Sequence, residues 1–213
     1  NPTGYSPTEA EGEEIASILL EAAEAGANIV AILDDAYFGL VYERGIRRES
    51  LFSLLAGAHP RLSAVKLDGP TTEDFAWGFR VGFITFACSA PTGGAETYQA
   101  LEKKVGGLIR GTVSNCPLVS QSLLLKAMRS PSYREEKSSA CAILKQRYEE
   151  VKAVAHDPRY GDAFEPYPFN SGYFMCLRVK GVEAEEVRRH LLTRYGVGLI
   201  ALDRSDLRIA YSC

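Results

Sequence analysis

The passage from residue 8 to residue 33 limits what this chain can fold into more than any other, because one periodicity gives way there to another. Thr8-x-x-Glu11 has the form of a capping box, in which each side chain satisfies the other residue's free backbone N–H. Ile15, Ile18, Leu19 and Ala22 follow at i, i+3, i+4 and i+7, so the spacing predicts an amphipathic helix with that face apolar. Gly26 is its expected stop. Directly beyond it, residues 28–33 (Asn-Ile-Val-Ala-Ile-Leu) form a short, continuous apolar run. Such a run suits a strand covered on both faces, as in a parallel sheet. Helix then strand points to the α/β class, with part of a mostly parallel sheet flanked by helices.

Two further strands are expected at 62–67 and 80–88, separated by a stretch at 68–79 whose Gly69, Pro70 and Gly78 read as loop. Helical patterns then dominate at 95–110, 117–129 and 133–156, broken at 114–117 and 130–132. A loop rich in Pro, Gly and Tyr follows residue 157. After it come a strand at 173–179, a helix at 182–195, a short apolar run at 197–202 and a last strand at 207–211. The expected organisation is a sheet domain over 1–130, a bridging helix over 131–156 and a smaller C-terminal α/β domain over 157–213.

Composition narrows the function classes. Hydrophobic residues make up 46% of the chain, enough for a sizeable core, and a formal net charge of -3 gives no electrostatic reason to expect nucleic acid or an anionic membrane as partner. No apolar run approaches bilayer length, and residues 1–30 do not read as a signal peptide. Cys88, Cys116, Cys141, Cys176 and Cys213 are scattered, odd in number and without a CxxC pair. That argues against a disulfide framework or a zinc site and fits a reducing, cytoplasmic setting. His59, His156 and His190 are equally dispersed, so no metal is expected.

Ligands of open α/β sheets collect outside the carboxyl ends of the strands. Asp34, Asp35 and Tyr37 directly follow the strand at 28–33, and the stretch at 68–79 directly follows the strand at 62–67. Four segments, in order, carry a resemblance to a known family. They are Asn1-Pro2-Thr3-Gly4, Asp34-Asp35-Ala36-Tyr37, Thr71-Thr72-x5-Gly78-Phe79-Arg80-Val81-Gly82 and Leu207-Arg208-Ile209-Ala210. Together they resemble the C-terminal half of class I and II aminotransferases, fold type I enzymes that depend on pyridoxal 5'-phosphate. The resemblance implies that Asn1 and Tyr37 hydrogen-bond the cofactor's ring oxygen and that Asp34 pairs with its pyridine nitrogen. It implies that Arg80, with Thr71, holds the phosphate and that Arg208 binds the substrate α-carboxylate. Residues 1–130 would then be the remaining part of the cofactor-binding large domain. An amino acid and a 2-oxo acid are the implied substrates, and a homodimer the implied assembly.

Each residue type has a chemical reason. A carboxylate facing the pyridine nitrogen keeps it protonated, and the ring then acts as an electron sink. Arg80 and Arg208 offer a forked, always-charged donor set suited to phosphate and carboxylate. The bland alternatives are a strand-end turn for Asp34, a core aromatic for Tyr37, a loop hydroxyl for Thr71 and ordinary ion pairs for the two arginines.

The pattern departs from the family in two places. Eight residues before Arg80, where the family has its Schiff-base lysine, this chain has Thr72, which has no amine. Lys66 lies in the middle of a predicted strand and reads as an ordinary strand lysine. The family's whole N-terminal half, with its glycine-rich phosphate turn, has no counterpart before Asn1, so the chain reads as a fragment that is inactive alone. Two other functions stay open: a non-catalytic regulatory or assembly domain that keeps the fold, and another fold type I chemistry such as C–S lysis or decarboxylation.

Overall fold

The computed structural model of the chain describes residues 2–89 and 94–212. Its elements run in the order α1 (Glu9–Glu24), β1 (Ile29–Asp34), α2 (Phe52–Leu55), β2 (Leu62–Asp68), α3 (Pro70–Glu73), β3 (Phe83–Ala87), α4 (Ala95–Thr112), α5 (Leu118–Met128), α6 (Tyr133–Ala155), β4 (Phe164–Pro166), β5 (Phe174–Val179), α7 (Ala184–Tyr195), β6 (Ile200–Ala201) and β7 (Asp206–Ala210). They form two compact units. One joins Pro7–Gly39 to Arg47–Tyr133, and the other joins Asn1–Ser6, Leu40–Ile46 and Arg134–Cys213.

In the first of these units β1 and β2 pair in parallel, from Ile29 opposite Leu62 to Asp34 opposite Leu67, and β3 adds antiparallel to β2. This is the α/β class expected from the sequence, with a mixed sheet. Helix α1 begins at the capping box: Thr8 Oγ1 accepts from the Glu11 N–H at 3.2 Å, and the Glu11 carboxylate accepts from the Thr8 N–H at 2.7 Å.

The buried face of α1 is not the expected one. Gly12, Ala16 and Ala23 are buried, with Leu19 and Leu20 beside them, whereas Ile15 and Ile18 are exposed. Small side chains let a helix approach its neighbours closely, which favours the Gly12–Ala16–Ala23 stripe over the bulkier one. Under Ala16 and Ala23 lie Ile29, Ala31, Leu33, Leu62 and Ala64 of the sheet and Leu55 of α2, while Gly12 faces Arg47 and Leu51. Strand side chains alternate between faces, so Val30 and Ile32 project from the opposite side, where each is 66% exposed. The expected two-sided cover of residues 28–33 is therefore corrected to cover on one side.

The other unit is built on a sheet of order β4-β5-β7-β6 whose pairings are all antiparallel. Met175, Leu177, Val179, Leu207 and Ile209 share one face, packed with Tyr148, Val151 and Ala155 of α6 and Ala184 of α7. The turn before β5 gathers distant pieces of chain. Asn170 and Ser171 donate their N–H groups to the Gly4 carbonyl, both at 2.9 Å. Tyr42 donates its hydroxyl to the Gly172 carbonyl at 2.7 Å, and Tyr211 donates to the Ser171 and Gly172 carbonyls at 3.1 and 3.0 Å. Gly4 has φ +75, and a Cβ there would lie 2.0 Å from the Phe174 carbonyl oxygen. Only glycine fits both the dihedral and the gap.

The Glu43 carboxylate of this unit accepts hydrogen bonds from Lys152 Nζ and the Tyr148 hydroxyl. The bond from Lys152, followed by that from Tyr148, holds its carboxyl below the ordinary glutamate range. A depressed carboxyl contributes stability above its unfolded pKa and loses it as pH falls through the folded value.

Two outcomes follow for this unit. Gly4→Ala is expected to destabilise it by more than about 3 kcal/mol, because strain and a backbone clash add; urea unfolding of parent and variant measures the difference. Glu43→Gln is expected to flatten the loss of stability between about pH 6 and about pH 3, read as hydrogen exchange of the β5 amides across that range.

Candidate functional site

Asp34 closes β1 opposite Leu67, so the carboxyl ends of the parallel pair β1 and β2 share one rim. Strand β3 runs the other way and starts at that rim, with Phe83 opposite Asp68. The turn at 35–39, helix α3 and the loop leading into β3 therefore lie along one edge of one sheet, the position where ligands of such sheets collect.

Asp34 is exposed, and its Oδ1 accepts from the Ala36 N–H at 3.2 Å, which fixes the carboxylate at the strand end. By alternation it stands on the same face as Val30 and Ile32. Tyr37 follows, half-buried, in the turn. The turn runs beside α3, since a Cβ on Gly39 would lie 3.8 Å from Glu73 Cγ.

Thr71 is half-buried and Thr72 only 8% exposed. Both sit in α3, within the stretch expected to be loop; proline pre-sets φ at such a start, and the Asp74 and Ala76 N–H groups return to the Pro70 carbonyl at 3.2 and 3.1 Å. Gly69 permits a further close approach, because a Cβ there would lie 2.8 Å from the Val81 carbonyl oxygen. Strain gathers in the same loop: Phe75 has φ 57 and Arg80 has φ 53, both in the left-handed region. Each costs on the order of 1–3 kcal/mol, and such residues cluster at ligand clamps. Arg80 is exposed, and its Nη1 donates to the Trp77 carbonyl at 3.2 Å.

Lys66 shares the face of Leu33, Leu62 and Ala64, the side opposite to Asp34. It pairs with Asp68 and lies 4.8 Å from the centroid of the Phe38 ring. The thickness of the sheet separates its amine from the Asp34 carboxylate.

Arg208 belongs to the other unit. It is half-buried in β7 opposite Cys176 of β5, and its guanidinium carbon lies 4.5 Å from the centroid of the Phe174 ring. Cys176 Sγ donates to the Pro2 carbonyl at 3.3 Å, so the opening turn of the chain runs along this face, while Asn1 lies outside the described residues. The Phe174–Arg208 contact has no signal in the sequence, because residues 174 and 208 fall on the same face only through the register of β5 against β7. An apolar recess of about 470 Å³, lined by Val151, Val154, Phe164, Met175 and Ile209 among others, opens on the opposite face of that sheet. Among the described residues no group of three His, Cys, Asp or Glu could hold a metal ion, and no helix is long and apolar enough to cross a membrane.

A sequence model of the family described as aminotransferase class I and II matches the chain over residues 1–213. A search of curated proteins gave no match. Among solved structures, an aminotransferase from Anaerococcus prevotii is similar with a TM-score of 0.77 at 19% identity, over 100% of this chain and 50% of that one. The aromatic aminotransferase from Pyrococcus horikoshii gives 0.71 at 18%, over 100% and 53%. LysN, the alpha-aminoadipate aminotransferase from Thermus thermophilus, complexed with N-(5'-phosphopyridoxyl)-L-leucine, gives 0.71 at 20%, over 100% and 51%. The chain thus spans about half the length of the structures it matches, and at these identities the likeness shows the fold alone.

The strain at position 80 is open to direct measurement. Arg80→Gly is expected to stabilise the fold by about 1 kcal/mol through relief of the left-handed backbone, while Arg80→Ala keeps the strain and gives no gain. Urea unfolding followed by far-UV circular dichroism distinguishes the two.

Proposed function

Because the chain belongs to the aminotransferase class I and II family, whose members depend on pyridoxal phosphate, we propose that it works within a protein that moves an amino group between an amino acid and a 2-oxo acid. Support comes first from the pairing of β1 with β2, which ends both strands at one rim, beside the loop that carries Arg80. The donor set along that rim suits the cofactor's parts: a carboxylate for a pyridinium, a phenol for a ring oxygen, and a hydroxyl with a guanidinium for a phosphate.

In this proposal Asp34 holds the pyridine nitrogen in its protonated form, and Tyr37 and Asn1 donate to the ring oxygen. Arg80 and Thr71 hold the phosphate, and Arg208 takes the substrate α-carboxylate through two parallel N–H bonds. When bound, the cofactor supplies an electron sink for the charge left at the substrate's α-carbon. Residues 1–130 serve as the remainder of the cofactor-binding domain, and a cytoplasmic homodimer with a role in biosynthesis completes the picture.

Thr72 favours a second reading. A hydroxyl neither tethers the cofactor nor carries a proton as an amine does, so this chain has lost the covalent and proton-shuttling function and would be inactive. What remains is a domain that keeps the fold for regulation or assembly. The sibling chemistries of C–S lysis and decarboxylation use the same binding set and are separated only by assay.

Borohydride trapping tests the assignment of 71–80 as the cofactor segment. After incubation with pyridoxal phosphate and reduction, the unmodified chain is expected to carry no pyridoxyl group, and Thr72→Lys is expected to carry one on residue 72, located by peptide mass spectrometry. An unlabelled Thr72→Lys protein, or selective label on Lys66 of the unmodified chain, would count against it.

A further inference from the structure

The sheet of the C-terminal unit has two unlike faces. Met175, Leu177 and Ile209 belong to the side covered by α6, and Phe174, Cys176 and Arg208 to the other. On that second side Phe174 is paired with Ala210 and Cys176 with Arg208, which makes Phe174 and Arg208 diagonal neighbours on adjacent strands. Diagonal pairs of this kind lie within reach when one side chain is long and the other aromatic. Here the guanidinium carbon stands 4.5 Å from the ring centroid, well inside the range over which a cation is drawn to the negative face of an aromatic ring.

The backbone that carries the ring is itself held. The Phe174 carbonyl abuts Gly4, and the Tyr211 N–H donates to the Tyr173 carbonyl at 3.0 Å. Two residues along β5, the Cys176 thiol donates to the Pro2 carbonyl. Burial pushes that thiol up, so Cys176 stays a neutral part of the floor.

We infer that Phe174 is a positioning residue for Arg208: its ring fixes the plane of the guanidinium, so that the in-plane fork of N–H groups is what meets a carboxylate. The assignment presupposes the role proposed for Arg208 as receptor of the α-carboxylate. All the donors of a guanidinium lie in its plane, so a ring that meets its face does not compete with in-plane hydrogen bonds. A plane fixed beforehand also loses less rotamer freedom when the ligand arrives. The ligand class is a planar carboxylate, as borne by an amino acid or a 2-oxo acid.

Pyruvate, the smallest 2-oxo acid, serves as the probe in a titration of the isotopically labelled chain, followed at the Arg208 Nε–H resonance. Pyruvate is expected to shift that resonance while cross-relaxation between the Arg208 side chain and the Phe174 ring persists at saturation. Phe174→Leu is expected to weaken pyruvate roughly three- to thirtyfold, with Phe174→Tyr and Phe174→Trp within about twofold of the parent. Loss of the ring contact on binding, or parent affinity in Phe174→Leu, overturns the positioning role and leaves the carboxylate role of Arg208 standing. Undiminished binding by Arg208→Lys overturns that role and the positioning role with it. Should Phe174→Leu unfold, seen as collapsed dispersion of the β5 and β7 amides, the ring contact in the parent and the two aromatic variants decide.

Discussion

Parallel pairing of Ile29–Asp34 with Leu62–Asp68 is the constraint on which the candidate site depends. Parallel strands cannot be joined by a tight hairpin, so the chain must cross back before β2 begins. In return, both strands finish on the same side of the sheet, and whatever follows each of them is delivered to a common edge. Here that is Asp34 at the end of the first strand with Tyr37 beyond it, and α3 after the second. Antiparallel β3 then starts at the same edge, which brings the loop carrying Arg80 alongside without a further crossover.

Two of the three non-glycine residues with left-handed dihedrals among the described residues lie at this edge. Phe75 and Arg80 take up left-handed dihedrals that glycine would adopt without penalty, within a loop tied to the Pro70 carbonyl and pressed against Gly69. Strain held by surrounding hydrogen bonds is a familiar mark of a binding loop. Thr72 stands in the middle of this arrangement, 8% exposed.

Much of this was legible before any coordinates, and the gaps have physical reasons. The capping box fixed the start of α1 because its two hydrogen bonds are local. The buried stripe of α1 was not legible, because Gly12, Ala16 and Ala23 carry little hydrophobic signal and are chosen by close approach, of Gly12 to Arg47 and Leu51 and of the alanines to the sheet. The continuous apolar run of β1 promises cover on both faces, yet Val30 and Ile32 stand open, because cover depends on what else packs there and not on the strand. Helix α3 hid behind the glycine and proline that delimit it, and β4 is only three residues long, too short to show a period. The rim itself could be read from strand order alone. The ring beneath Arg208 could not, since it needs the register of β5 against β7.

The unit that carries Arg208 is stitched from both ends of the sequence. Ser6 donates its N–H to the Asn170 side chain across 164 positions, and Val41 bridges to Ser171. Contacts between such remote positions add only modestly to the entropy of closure, yet they slow the search for the native arrangement. During synthesis the turn around Gly4 therefore waits, without its partners, until residues 170–171 have been made. Pro2, Gly4 and Ser6 reach their final contacts only once that later stretch is in hand.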